Sequence, residues 1–185
     1  MRDFITHVLS SRENYTNIYI SYTDIKKIEK AVMTTLNLTN LKDLRDKFEG
    51  LKFYDSFTLK SFGVIALGNL LKIDLVNWDE IEPRNYEAIV SIEGKLIDVI
   101  NFEYGEFPVI DKKSSKPAIF ACKRDKQNIW ICGYASIEIL DNNQDDKYIK
   151  GVMTRNIESK TTFTGFNKLK YFSNIEELKE LIVEN

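Results

Sequence analysis

Residues 85–106 read NYEAIVSIEGKLIDVINFEYGE, and their rhythm decides how the rest of the chain is understood. Apolar and polar side chains alternate through YEAIVSI and again through KLIDVINF, the period-two signature of strands with one buried face. Glu93 and Gly94 stand between the two runs as a tight turn, so the segment predicts a β-hairpin. Working outward, PAIFACK (117–123) and NIWICGYASI (128–137), separated by RDKQ, predict a second antiparallel pair. A loop centred on Lys126 and Gln127 sets Cys122 opposite Cys132 and Phe120 opposite Tyr134.

N-terminal to the hairpin the period changes to that of helices. DSFTLKSFGVIALGNLLKI (55–73) carries a broad apolar stripe of Leu59, Phe62, Ile65, Ala66, Leu70 and Leu71, which predicts a core helix packed on the sheet. Earlier, TDIKKIEKAVMTTLNL places Ile25, Ile28, Val32 and Leu36 on one face behind Thr23 as N-cap, and NLKDLRDKFEG predicts a second short helix ending at Gly50. Residues 1–20 offer short β-like or irregular pieces, and the chain closes with a helix capped at Ser173 or Asn174. The order of helices, sheet and helix predicts a single α+β domain over 1–185, with residues 1–55 as an N-terminal helical extension of a core spanning 56–185.

Composition narrows the function classes. The chain has 185 residues, 43% hydrophobic and 29% charged, with 26 basic against 28 acidic side chains; it can bury a core without staples, and it is neither disordered nor a polycation. His7 is its one histidine, which removes zinc sites built on several histidines and most histidine-based nucleophilic catalysis. Cys122 and Cys132 are too few for a disulfide framework and fit a reducing, cytoplasmic setting. With no apolar run near 20 residues, no membrane partner is expected. Chemistry, if there is any, falls to carboxylates, lysines and a metal.

Charge is unevenly spread along the chain. From Asp79 to Asp111 nine acids face two bases, whereas Lys112–Lys126 and Lys147–Lys170 each carry six bases and one acid. The basic segments nominate Lys112, Lys113, Lys116, Lys147, Lys150, Arg155 and Lys160 as contacts for nucleic-acid phosphates, and nearby aromatic residues as stacking surfaces. The acidic block can hold a cation or present a negative face to a nucleic-acid-binding protein. Within that block Glu87 and Asp98 lie on an otherwise apolar hairpin. Two such acids at a sheet edge suit Mg2+; equally, Glu87 can face solvent at a frayed strand start while Asp98 bonds to backbone.

In these strings the chain resembles the PD-(D/E)xK superfamily, whose fold is that of many restriction endonucleases. Phe62–Leu67 takes the place of the family's G-E-x-A-L helix motif, Glu87 that of the first acid, and Ile97-Asp98-Val99-Ile100 that of the I-D-V-K motif. AIFACKRDKQNIWICGYAS takes that of the closing strand pair. The resemblance covers roughly residues 57–175 and implies a restriction-endonuclease-like central mixed sheet flanked by helices, with Glu87 and Asp98 as magnesium ligands. Two departures stand out: Ile100 replaces the lysine that supports the attacking water, and Val64 replaces the helix glutamate. Lys123, or less directly Lys95, is the candidate for a migrated lysine, with Glu103 or Glu106 as a further acid. Three functions follow. The first is a nuclease-fold protein with a decayed site that binds nucleic acid or a partner protein in a conflict between phage and host. The second is an active magnesium-dependent endonuclease with a rearranged site, and the third an interaction protein that forms a homodimer through its Tyr/Phe-rich N-terminal region.

Overall fold

The computed structural model describes residues 1–149 and 157–184. It shows an α+β protein built on a mixed five-stranded sheet with helices on its flanks. The strands are β1 (Thr16–Tyr19), β2 (Ile89–Ile92), β3 (Lys95–Glu103), β5 (Ala118–Lys123) and β6 (Asn128–Ala135), in spatial order β1-β6-β5-β3-β2. Two further strands, β4 (Val109–Asp111) and β7 (Lys160–Thr162), form a separate antiparallel ribbon.

The hairpin forms as its pattern requires. β2 and β3 pair antiparallel, Ile89 with Asp98 through Ile92 with Lys95, around Glu93 and Gly94, which both adopt positive φ. That combination matches the right-handed twist of the flanking strands. β3 then pairs in parallel with β5, Asp98 opposite Ala118 and Glu103 opposite Lys123. A parallel neighbour needs a crossover, and here residues 104–117, including β4, supply it.

β5 and β6 pair antiparallel, but not in the expected register. Cys122 faces Trp130 because the hairpin turns about Lys126, with Lys123 opposite Ile129, and Phe120 faces Gly133 because the ladder slips between Phe120 and Ala121 and leaves Cys132 as the extra residue of a bulge. Gly133 makes the bulge possible: its φ is +136°, and a Cβ there would lie 2.9 Å from the Lys170 carbonyl oxygen, which receives the Tyr134 amide. Both cysteines are buried, and burial pushes the Cys122 thiol up to about 12, so both stay protonated and inert.

Helix α3 (Gly50–Leu71) covers one sheet face. Phe62, Leu67, Ile97, Val99, Ile119 and Ile129 form its core together with Ile28 and Val32 of α2 (Tyr22–Leu36). Three expectations for this region need correction. α2 starts at Tyr22 behind Ser21, whose hydroxyl accepts from the Asp24 amide and so preempts Thr23 as cap. The predicted second helix is a 3-10 turn over Leu41–Asp46, capped by Asn40. Gly50 opens α3 instead of closing that helix, because Glu49 takes the left-handed conformation and redirects the chain.

The other face is aromatic. Phe120 stacks on Phe163 with centroids 4.4 Å apart, and Phe102, Phe166 and Phe4 close around them. Its cover is assembled from pieces: α1 (Arg2–His7), the β4–β7 ribbon, α4 (Ile137–Asn142) and the turn at Phe166–Lys168. Residues 1–20 therefore belong to the core domain, with Phe4 and Val8 buried and β1 hydrogen-bonded along β6. α5 (Ile175–Val183), capped by Asn174, returns to the α3 side through Leu178 and Ile182.

Candidate functional site

β2 begins only at Ile89, so beyond Asp98 the outer edge of β3 has no partner strand among the described residues. A cleft of about 440 Å³ opens there. One side comes from Ser56 and Lys60 of α3 with Asn101 of β3; the other comes from Asp111 of β4, Lys116 of the crossover and Lys160 of β7. Glu87, Asp98 and Ile100 complete the wall.

Asn101 is fixed by the helix. Its amide donates to the Val99 carbonyl at 2.8 Å and the Lys60 carbonyl at 3.4 Å, while its Oδ1 occupies the space a Cβ on Gly63 would need, 1.6 Å away. Gly63 thus lets α3 approach the strand that carries the cleft. Val64 is 1% exposed and packs in the α3-side core, so the helix sends no polar group to the cleft from that position.

Charges alternate across the cleft. The Lys116 ammonium lies 3.4 Å from Asp98, and that of Lys160 lies 2.7 Å from Asp111. Asp98 is half-buried, and desolvation raises its pKa above the ordinary carboxylate value; Lys116 opposes that rise, while Asp111 and Glu87 add to it. Glu87 and Asp98 therefore line one cleft, although Glu87 lies exposed in the lead to β2 and outside the strand itself.

Several expected site residues lie elsewhere. Lys123 pairs with Glu103 at 2.8 Å, five residues along the strands from Asp98, or about 17 Å at ~3.3 Å per residue. It cannot replace a lysine beside Asp98. Lys95 donates to the Ile182 carbonyl in α5 and turns away from the cleft. Glu106 is exposed beyond the end of β3.

The basic stretches do not form a separate positive face. Lys112 binds Asp146 at 2.8 Å and Lys147 binds Asp3 at 3.2 Å, so with Lys116 and Lys160 four of the nominated lysines are matched to aspartates. Lys113 is exposed, and Lys150 and Arg155 lie outside the described residues. The opposed blocks of the sequence fold onto one another: Lys116–Asp98, Lys123–Glu103 and Lys160–Asp111 each join a basic stretch to the acidic one. Such partly exposed pairs stabilise little, but they cancel the fields that a two-faced protein would need.

The sequence reading missed Asp111, Lys60 and Asn101 as cleft residues, and it missed Lys116 as the partner of Asp98. One signal was available. If β3 and β5 run parallel with Asp98 beside Ala118, the lysine just before the second strand arrives next to the acid of the first. Compared with protein-family models, curated proteins and solved structures, the chain matches none. No helix among the described residues is long and apolar enough to cross a membrane.

Proposed function

We propose that this chain is a nuclease-like protein that works by binding nucleic acid and does not cut it. The observation that carries the reading is the Lys116 ammonium on Asp98, in a cleft whose wall holds Ile100 two residues further along. A hard divalent cation needs a cluster of free oxygen donors. Here two of the three carboxylates at the cleft hold lysines, Ile100 offers no donor, and no group of three or more acidic, histidine or cysteine side chains among the described residues is arranged to hold a metal. This donor set supports the binding reading over a magnesium site, and no catalytic step is assigned to it. What the cleft does offer to a phosphate is the ammonium groups of Lys60, Lys116 and Lys160, which a phosphate would draw from the Tyr86 carbonyl, Asp98 and Asp111.

A second reading, an active endonuclease, is favoured by the same lysine, since Lys116 brings an ammonium beside Asp98 where Ile100 supplies none. The two separate in one experiment. Supercoiled DNA, linear DNA and RNA are incubated with the protein and its Asp98→Ala variant, with magnesium or manganese. The binding reading expects no metal-dependent cutting, together with nucleic-acid binding that weakens with salt and is reduced in Lys116→Ala/Lys160→Ala. Cutting that Asp98→Ala abolishes would overturn it. Absence of nucleic-acid binding at low salt would remove the ligand and leave a protein partner as the occupant to seek.

A further inference from the structure

A base can stack only on a ring whose face is open, and most rings beside the basic stretches are closed off. Tyr134, Phe163 and Phe166 are buried, and Tyr148 is stacked on Phe107 with centroids 4.2 Å apart. Trp130 of β6 differs from them. It is half-buried at the margin of the aromatic cluster, and the β1 residue opposite it is the short, exposed Asn17. Tyr15 and Tyr104 pack against the indole, with ring centroids 6.1 and 6.0 Å away. Tyr15 is itself fixed, since its hydroxyl donates to the Val8 carbonyl, so the indole is held on a rigid strand while Tyr104 stays 42% exposed beside it.

Arg124 completes this surface. Its guanidinium carbon lies over the Trp130 ring, 5.4 Å from the centroid, and no carboxylate among the described residues stands within ion-pair distance of it. The acids of this end are turned elsewhere. Glu103 holds Lys123, Asp125 accepts from the Gln127 and Asn128 amides of its own turn, and Glu106 lies exposed past Tyr104. Arg124 therefore differs from Lys112, Lys116, Lys123, Lys147 and Lys160, each of which is matched to an acid. Its planar, permanently charged fork suits a phosphate oxygen. Side chains repeat every two residues along a strand, so Asp98 and Tyr104 point to the same side of β3 and lie six residues apart, or about 20 Å at ~3.3 Å per residue.

We propose, resting on the nucleic-acid reading of the cleft, that Trp130, Tyr104 and Arg124 form a second site that takes one unstacked base, so that the chain selects single strands over duplexes. The base occupies the place on the indole that the guanidinium now holds, with Tyr104 at its edge, and Arg124 turns to the adjoining phosphate. That exchange is favourable, because an exposed cation–π contact is weaker than a base–aromatic stack. A duplex cannot make it, since the faces of its bases are covered by their neighbours. The distance between this site and the cleft falls within the run of about 4–16 nucleotides that a single-strand site covers, and stacking on one ring tolerates any base.

The chain has two tryptophans, Trp78 and Trp130, so Trp78→Phe leaves Trp130 as the single indole reporter. The full-length variant is titrated at low salt with a single-stranded oligothymidylate, and affinities are read from the anisotropy of the labelled oligonucleotide. Saturable quenching of Trp130 emission is expected. Trp130→Leu should weaken binding by about 5- to 100-fold. Arg124→Ala, at an exposed position, should weaken it too, with unchanged circular dichroism. Trp130→Phe keeps a ring and should retain most of the affinity, which separates lost stacking from lost packing. The same strand annealed to its complement should bind more weakly and leave Trp130 emission unmoved. Lys116→Ala/Lys160→Ala reports on the cleft independently. An oligonucleotide that responds to the cleft variant, yet neither quenches Trp130 nor loses affinity in Trp130→Leu and Arg124→Ala, would overturn the base site and leave the binding reading standing. A duplex bound as tightly as the single strand would overturn it as well. If no nucleic acid binds at low salt, both readings fall and Trp130 is left to a protein partner.

Discussion

The two faces of the sheet solve the same problem by different means. On one face a single 22-residue helix, α3, lays an aliphatic stripe over the strands, with α2 and α5 beside it. On the other no long helix is present among the described residues, and an aromatic cluster is roofed by α1, the β4–β7 ribbon, α4 and a turn. A continuous helix seals its face. A roof of short pieces leaves a seam, and the cleft opens where that seam meets the uncovered edge of β3, lined from α3 on one side and from β4 and β7 on the other. Loops held by a rigid sheet are where binding residues concentrate.

The sharpest way to break this comparison is to ask whether the patchwork face is packed as firmly as the helical one. Phe120 is fully buried, stacked on Phe163 and 5.7 Å from Phe166 between ring centroids. Phe120→Ala should destabilise the protein by about 3–5 kcal/mol in urea unfolding, the range for large cavities in rigid cores. Leu67→Ala, which empties a fully buried position under α3, should cost about 2–5 kcal/mol. A loss under about 1 kcal/mol for Phe120→Ala alone would show that the aromatic face collapses around the gap and is not a packed core.

A smaller effect tests the contact between α3 and the cleft. Gly63→Ala brings a Cβ onto Asn101 Oδ1 and to 3.0 Å from the Ala121 Cβ. Asn101 must leave its two carbonyl partners, for an expected loss of about 1–3 kcal/mol. In an Asn101→Ala background the same change should cost distinctly less, because the obstructing group is gone and the two sites share one contact. Strict additivity would place the strain elsewhere, on the Ala121 side.

The difference between the faces also explains what could be read from the residues alone. The hairpin was legible because Ile89–Glu103 alternates around Glu93-Gly94, and α3 because its apolar run is too long and too continuous for a strand. The α+β class follows from those two segments. The patchwork face was not legible: Phe4, Phe163 and Phe166 come from opposite ends of the chain, in pieces too short to show a period. Asp98 was found as an acid in an apolar strand, but its surroundings were not. They depend on β3 and β5 lying in parallel, a non-local pairing that places Lys116 at the acid and carries Lys123 to the far end. The strand pair itself stood, but the cysteine register failed because the turn centres on Lys126, with Lys123 opposite Ile129, and the bulge at Cys132 likewise cannot be counted from a loop centre.

The smallest effect concerns whether burial or Lys116 governs Asp98. Burial raises its pKa in the folded protein above the ordinary 3.8, with Asp111 and Glu87 acting in the same direction and Lys116 against them. A carboxyl raised on folding is stabilising in its protonated form. That contribution is fully present below the unfolded pKa and is lost as pH climbs through the folded one. Asp98→Asn carries no such proton, so the stability of the variant relative to the wild type should rise between about pH 4 and the folded pKa, then stay level to about pH 7. Urea unfolding of both proteins across that range reads the slope directly. The opposite slope, with the wild type gaining on the variant as pH rises, would mean that the Lys116 ammonium outweighs desolvation. The cleft would then hold Asp98 as a stabilised ion pair, and the seam between the two faces would be closed by charge as firmly as the α3 side is closed by apolar packing.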